Sequence, residues 1–149
     1  MRSNDNLKAE YILIQGQYEA FDQRALGLKA LATPLLGAGI AVGVKEGSVV
    51  ILAATIAVAI CLWVLEAIWK AFQYCFTDRI QALEAWFRED GPDDMAPFQI
   101  FAAWGQLWHR HYRSPNAWLR IMAQPFVCLP YAVIVVAGLT ATGSLAFRH

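Results

Sequence analysis

Charge is missing from three long stretches of this chain. No Asp, Glu, Lys or Arg falls between Ala30 and Val44, between Ser48 and Leu65 or between Ile121 and Phe147. A helix needs about 20 apolar residues to cross the hydrocarbon core of a bilayer. The third run exceeds that length alone, and the second nearly reaches it. The first is short, but Lys29 and Lys45 flank it and can snorkel, lending their stems to the span. The composition, 58% hydrophobic with a mean hydropathy of +0.38, exceeds the roughly 45–50% apolar content of soluble domains. The expected fold is an all-α integral membrane protein with three transmembrane helices, at 30–44, 48–65 and 121–147.

Other absences narrow the function. The net charge is zero and the pI near 6.8, so the general basic footprint of a nucleic-acid binder is lacking. The three cysteines, Cys61, Cys75 and Cys128, have no CxxC spacing and read as free thiols. None of His109, His111 and His149 lies in an uncharged run, which argues against haem ligation within the membrane. No GxxxxGK[ST], GxSxG or HExxH motif occurs. Asp90, Asp93 and Asp94 lack the spacing and bidentate Glu of an EF-hand loop and read as a solvated turn. Neither cofactor nor metal is expected. The polar stretch from Met1 to Ala25 holds no apolar core of the kind a cleavable signal needs.

What that stretch does hold is a period. Leu7, Tyr11, Ile14, Tyr18, Phe21, Ala25 and Leu28 alternate spacings of 4 and 3, the seam of a helix packed in coiled-coil fashion. Asn4 or Asp5 can cap its start. The pattern runs unbroken into the first span, where Pro34 can kink the helix. An amphipathic helix lying on the lipid surface is the other arrangement that fits. Beyond Leu65, Trp69, Phe72, Phe76, Ile80, Leu83 and Phe87 repeat the spacing. This second arm should stop at Asp90, Gly91 and Pro92, with Gly91 suited to the cap.

The two arms, 5–46 and 48–89, are equal in length. Folded about Gly47, they make an antiparallel hairpin with arms of about 63 Å at 1.5 Å per residue. Its spans lie in lipid, while 5–29 and 66–89 form a cytosolic stalk whose seam includes Tyr11, Ile14, Tyr18, Phe21, Phe72, Phe76 and Leu83. The fold sets Lys29 against Glu66 at the membrane boundary, where an unpaired charge is costly. They either pair or snorkel separately. Gly37, Gly39 and Gly43 give the first span a thin face, and Gly39 and Gly43 fit the small-xxx-small spacing of close helix contact. That contact is either within the chain or between copies of it.

Residues 97–113 read as an interfacial helix with Pro97 in its first turn. Phe101, Trp104 and Trp108 mix with Arg110 and Arg113, a combination suited to lipid headgroups. Ser114 caps the next helix with Pro115 at its first position, and the third span should bend at Pro125 and Pro130. Ten of the twelve basic residues precede the first span or separate the second from the third; only Lys45 and Arg148 do not. The positive-inside rule then puts the N-terminus in the cytosol and the C-terminus outside the plasma (inner) membrane.

The stretches Val64 to Ile68 (VLEAI) and Asp78 to Ile80 (DRI) resemble the second span and cytosolic exit of the small bacterial diacylglycerol kinases. Those are also three-span proteins with an N-terminal amphipathic helix. The resemblance is confined to this short part of the chain and implies an interfacial lipid kinase. The family's catalysis uses an Asn three residues after the first Glu and a second Glu near the next turn. Trp69 and Gln73 stand there, so the second carboxylate of a Mg·ATP site is missing. Only Glu66, Glu84, Asp78 and His109 could serve a lipid-modifying enzyme. The favoured expectation is a non-enzymatic membrane protein: a homo-oligomeric pore or membrane effector, or a subunit of a larger complex. Its partners are then the lipid bilayer, further copies of itself and a cytosolic protein at the stalk, not nucleic acid. Thr33, Thr55, Thr140, Thr142 and Ser144 are the hydroxyls available to line a polar path, unless they bond their own helix carbonyls.

Overall fold

The computed structural model describes residues 4–147, with the side chain of His111 left aside; Arg2, Arg148 and His149 lie outside the described residues. All regular structure among them is helical. Helix α1 runs Asp5–Lys45, α2 Val49–Tyr74 and α3 Thr77–Phe87. Helix α4 (Ile100–Leu107) continues into a π-helical turn, Trp108–Tyr112. Then come α5 (Pro115–Met122), α6 (Pro125–Cys128) and α7 (Tyr131–Ala146). Two helical stretches, Asp5–Lys45 and Val49–Phe87, are long and apolar enough to cross a membrane.

Local chemistry explains the ends. The Asn4 side chain accepts hydrogen bonds from the Asn6 and Leu7 backbone N–H groups at 3.0 and 3.3 Å, capping α1. At the far end Gly47 takes φ +59. Ser48 N–H bonds Gly43 O at 2.9 Å and Gly47 N–H bonds Val44 O at 3.2 Å, the paired closure of a Schellman turn.

Three expected features differ. The second arm is not one helix: α2 ends at Tyr74 and α3 begins at Thr77. Around the break Cys75 N–H is shared between Ala71 O and Phe72 O, both at 3.3 Å, and Phe76 N–H bonds Gln73 O at 3.1 Å. That tightening into shorter-range bonds interrupts the helix where the Cys75 thiol also donates to Ala71 O at 3.2 Å. The C-cap of α3 is Arg88, and the left-handed residue that closes the helix is Glu89, not Gly91. Glu89 takes φ +68, while Asp90 and Glu89 N–H groups close on Ala85 O and Trp86 O, each at 3.0 Å. Gly91 has a different duty, since a Cβ there would stand 3.1 Å from the Trp86 Cα and N. Finally, Pro97 is outside α4. Phe98 takes φ +56 between them, so no helix can start before Ile100.

The apolar run 121–147 is likewise broken rather than bent. Leu129 is extended at ψ 136 and a cis peptide joins it to Pro130. Gln124 is extended before Pro125, as the residue preceding a proline prefers. The longest piece, α7, has 16 residues, fewer than the roughly 20 of a full span.

The chain divides into two compact units: Met1–Arg24 with Trp69–Trp118, and Ala25–Ile68 with Leu119–His149. The core of the first is Leu7, Ile14, Ile80, Leu83 and Trp86, with Tyr11, Tyr18, Phe76 and Phe87 packed on it. The core of the second is Ala32, Leu36, Ala59, Tyr131 and Ile134. Among the described residues, the large hydrophobic ones with exposed side chains belong to the second unit, apart from Ile12, Leu13, Phe98 and Phe101.

Glycine sets the helix spacing in that unit. A Cβ on Gly39 would meet Thr55 Oγ1 at 2.5 Å, and one on Gly43 would meet Leu52 Cδ2 at 2.7 Å. Both glycines therefore serve contacts within the chain. Gly37, expected to share them, has open space instead, while at Gly138, which sequence spacing does not single out, an added Cβ would stand 2.6 Å from Ile56 Cγ1. Gly39→Leu should force α1 from α2 and lower stability by about 1–3 kcal/mol, whereas Gly37→Leu should be tolerated. Thermal unfolding of the two variants in mild detergent checks this; equal loss would refute the packing.

Candidate functional site

Among the described residues each unit buries one carboxylate, Glu10 in the first and Glu66 in the second. In the second unit, Lys29 on α1 reaches Glu66 on α2, with Nζ 2.6 Å from Oε1. Glu66 is 2% exposed, so the pair is nearly dry. Lys29 also donates to the Phe126 carbonyl in α6. The Tyr131 hydroxyl at the start of α7 lies beside Glu66. The broken segment around Pro125 and Pro130 is thus tied to the pair, and Trp63 Nε1 adds a bond to Met122 O at 3.0 Å. An α-helix would consume the carbonyls that these side chains use, which is why the proline breaks matter here.

In the first unit the centre is Glu10, whose side chain is fully buried. It accepts two bonds from Arg79, from Nε at 2.8 Å and Nη2 at 2.9 Å, the two-pronged geometry that suits guanidinium and carboxylate. Glu10 Oε2 also accepts the Phe98 N–H at 2.7 Å, while Arg79 donates to Ala96 O at 2.8 Å. One ion pair therefore clamps residues 96–98 and holds Phe98 in its left-handed conformation. Sequence periodicity misses Glu10, because a carboxylate one residue from the Tyr11 seam position reads as solvated. The one signal that could have found it is Arg79, a cation directly before the seam residue Ile80 and in need of a partner across the hairpin.

Further pairs join α1 to the end of α2 and to α3. Lys70 bonds Asp22, Gln73 donates to Tyr18 O at 2.8 Å, and the Tyr11 hydroxyl donates to Glu84 at 3.1 Å. Burial would raise the Asp22 carboxyl, but bonds from Lys70 and Gln73 and the Lys70 charge outweigh it and hold it below its usual value. The seam residues Tyr11, Ile14, Tyr18, Phe76 and Leu83 join the apolar core. Phe21 meets Phe76 with ring centroids 6.1 Å apart. Phe72 leaves the seam and joins an aromatic group instead.

That group is the platform of α4. The Trp104 and Trp108 rings stack at 5.7 Å with 2° between planes. Phe72 packs against both, at 5.6 and 5.2 Å, and Trp104 Nε1 donates to Phe72 O at 3.1 Å. Trp118 meets Trp108 edge-on at 5.6 Å. In front, an open cleft of about 650 Å³ is lined by Phe101, Ala102, Gly105, Gln106, His109 and Arg110. Phe101 is 86% exposed, and Arg110 and Arg113 are exposed too.

Of the candidate enzyme residues, Glu66 lies in the second unit and Asp78, Glu84 and His109 in the first. Glu66 is held by Lys29, Glu84 accepts from Tyr11, and Gln73 occupies the place of a second carboxylate. Asp78 lines a smaller cavity of about 200 Å³ with Arg79 and Arg110, which Glu84 and His109 do not reach. Among the described residues no group of three or more His, Cys, Asp or Glu is placed to hold a metal ion. The acidic turn is exposed, with Asp90 3.4 Å from Arg88.

Removing one member of a buried pair strands the other charge, a loss of about 3–5 kcal/mol. Glu10→Ala and Arg79→Ala should each approach that loss, and the double variant should lose clearly less than their sum. Additive effects in chemical unfolding would refute the clamp. A second expectation concerns Cys75. Burial, then the Asp78 charge, pushes its thiol up from 9.0 to about 12. The folded state keeps the proton that the unfolded thiol loses, so this group's contribution to stability falls as pH rises from 9 towards 12. Folded protein at pH 8 should alkylate far more slowly at Cys75 than unfolded protein, as read by peptide mass spectrometry. Equal rates would show an accessible thiol.

No family model, curated protein or solved structure matches this chain.

Proposed function

We propose that this chain is a small membrane protein that acts through assembly rather than catalysis, with its second unit in lipid and its first unit receiving a partner or signal in the cytosol. The observation that carries this reading is the outward apolar face of the second unit. Leu31, Leu35, Val50, Val58, Val133 and Val136 are all more than half exposed, while Lys29, Glu66 and Tyr131 turn inward to one another. In water such a surface aggregates; in lipid it is solvated. The most apolar windows of the two long helices are only 11% and 17% buried, unlike core helices of a soluble domain. The broken segment 115–146 makes a third crossing in this reading. The N-terminus is cytosolic and the C-terminus outside, following the basic residues, in the inner membrane of a bacterium.

Assembly takes the form of a homo-oligomer, acting as a membrane effector or within a larger complex. Its interface lies away from Gly39 and Gly43, whose faces are filled within the chain. A permanently open pore is the less favoured form. Thr55, Thr140, Thr142 and Ser144 each donate to a carbonyl of their own helix, which leaves little to line a polar path.

Mass measurement in mild detergent and in lipid nanodiscs tests the assembly: a multiple of 16.6 kDa is expected, and a monomer in both overturns it. A C-terminal reporter active only in the cytosol would overturn the topology. Resistance to alkaline extraction from membranes is expected, and release would remove the membrane reading itself.

A further inference from the structure

We infer that the cleft in front of α4 binds the phosphate headgroup of an anionic phospholipid, with Arg110 of its lining meeting the phosphate, the exposed Arg113 three residues on adding positive charge outside that lining, and Phe101 entering the acyl–glycerol region. This rests on the membrane reading above and adds the chemical class of lipid.

Charge along the chain is the first observation. All twelve carboxylate side chains lie at or before Asp94, together with eight of the twelve Lys and Arg, a net of −4. From Met95 onward there are none against four arginines, a net of +4. The neutral whole conceals an acidic part and a basic part. Lys29, Lys70, Arg79 and Arg88 each have a carboxylate. Arg110 and Arg113 have none among the described residues. Asp78 lines the small cavity with Arg110 but makes no ion pair with it, and Arg79 there is already committed to Glu10. His109 lines the main cleft with Arg110.

The shape of the cleft is the second observation. Its wall is apolar along Phe101, Ala102 and Gly105 and cationic at Arg110, which fits an amphipathic ligand better than a free anion. Phe101 stands 86% exposed although it is a large aromatic. The face beneath is rigid: stacked Trp104 and Trp108 are braced on Phe72, and the Glu10–Arg79 clamp fixes the loop that leads into α4. The π-helical turn Trp108–Tyr112 carries His109 and Arg110, and such turns recur at functional sites. A guanidinium and an aromatic at adjoining places match the boundary between phosphate and hydrocarbon.

The test uses the full chain. Native mass spectrometry in a neutral detergent follows retention of phosphatidylglycerol and phosphatidylcholine by wild type, Arg110→Gln/Arg113→Gln, Arg110→Lys/Arg113→Lys and Phe101→Ser. Wild type should retain the anionic lipid at least tenfold better. Each arginine contributes about fivefold near an anionic surface, so the Gln pair should lose most of the preference and the Lys pair should keep much of it. Phe101→Ser should weaken retention of both lipids and leave their ratio alone. Equal retention by wild type, or a preference that survives the Gln pair, overturns the proposal. So does displacement of the lipid by millimolar inorganic phosphate, which would make this a free-anion site, or by single-stranded RNA, which would make it a nucleic-acid site. Incorporation into pure phosphatidylcholine vesicles is scored separately: if it fails, the membrane reading falls, and if it succeeds without anionic preference, only this inference does.

Discussion

Glu10 has no contact with solvent, and most of the first unit's order follows from that. A buried carboxylate must be paired and fully hydrogen-bonded or its desolvation goes uncompensated. Arg79 and the Phe98 N–H meet that demand together. In doing so they fix the register of α1 against α3 and hold the loop before α4 in a conformation that a Phe would not choose. Removing water from one charge thereby determines three separate pieces of backbone.

The same constraint repeats at lower strength. In the first unit Asp22 with Lys70 ties α1 to the end of α2 and Tyr11 with Glu84 ties α1 to α3, and Lys29 with Glu66 ties α1 to α2 in the second. Apolar seams alone permit a helix to slide by a turn against its neighbour, because Leu and Ile fill similar holes. Ion pairs do not permit it, since a slipped register would bury unpaired charges. Hydrophobic contact supplies the bulk of the cohesion here, and polar pairing selects one alignment.

Periodicity makes the helices legible. The alternating spacing from Leu7 to Leu28 marks α1, and the turn at Gly47 follows from the charge-flanked break between two apolar runs. The Lys29–Glu66 contact is readable because a hairpin fixes which residues face each other. What stays hidden depends on tertiary partners. The break at Cys75 leaves no mark in a helix-forming sequence. Glu89 takes the left-handed conformation that ends α3, while Gly91, two residues on, lies close against Trp86. The proline pair at 125 and 130 predicts a bend, and the chain goes further, exposing carbonyls to Lys29 and Trp63. Glu10 is the largest omission, since a lone acidic residue in a polar segment looks like solvent-facing surface. The aromatic set around α4 can be named from composition, but its stacking order cannot.

The pins along α1 also bear on how such a chain can change over generations. Point substitutions on the outward positions leave the pairing intact, so sequence there is free to drift. An insertion or deletion of one residue between Glu10 and Asp22 is different. It rotates everything beyond it by about 100°, and no single compensating change restores both pairs. The length of that interval should therefore outlast its spelling, and descendants of this chain should be recognisable by the distance between two acids rather than by the letters that separate them.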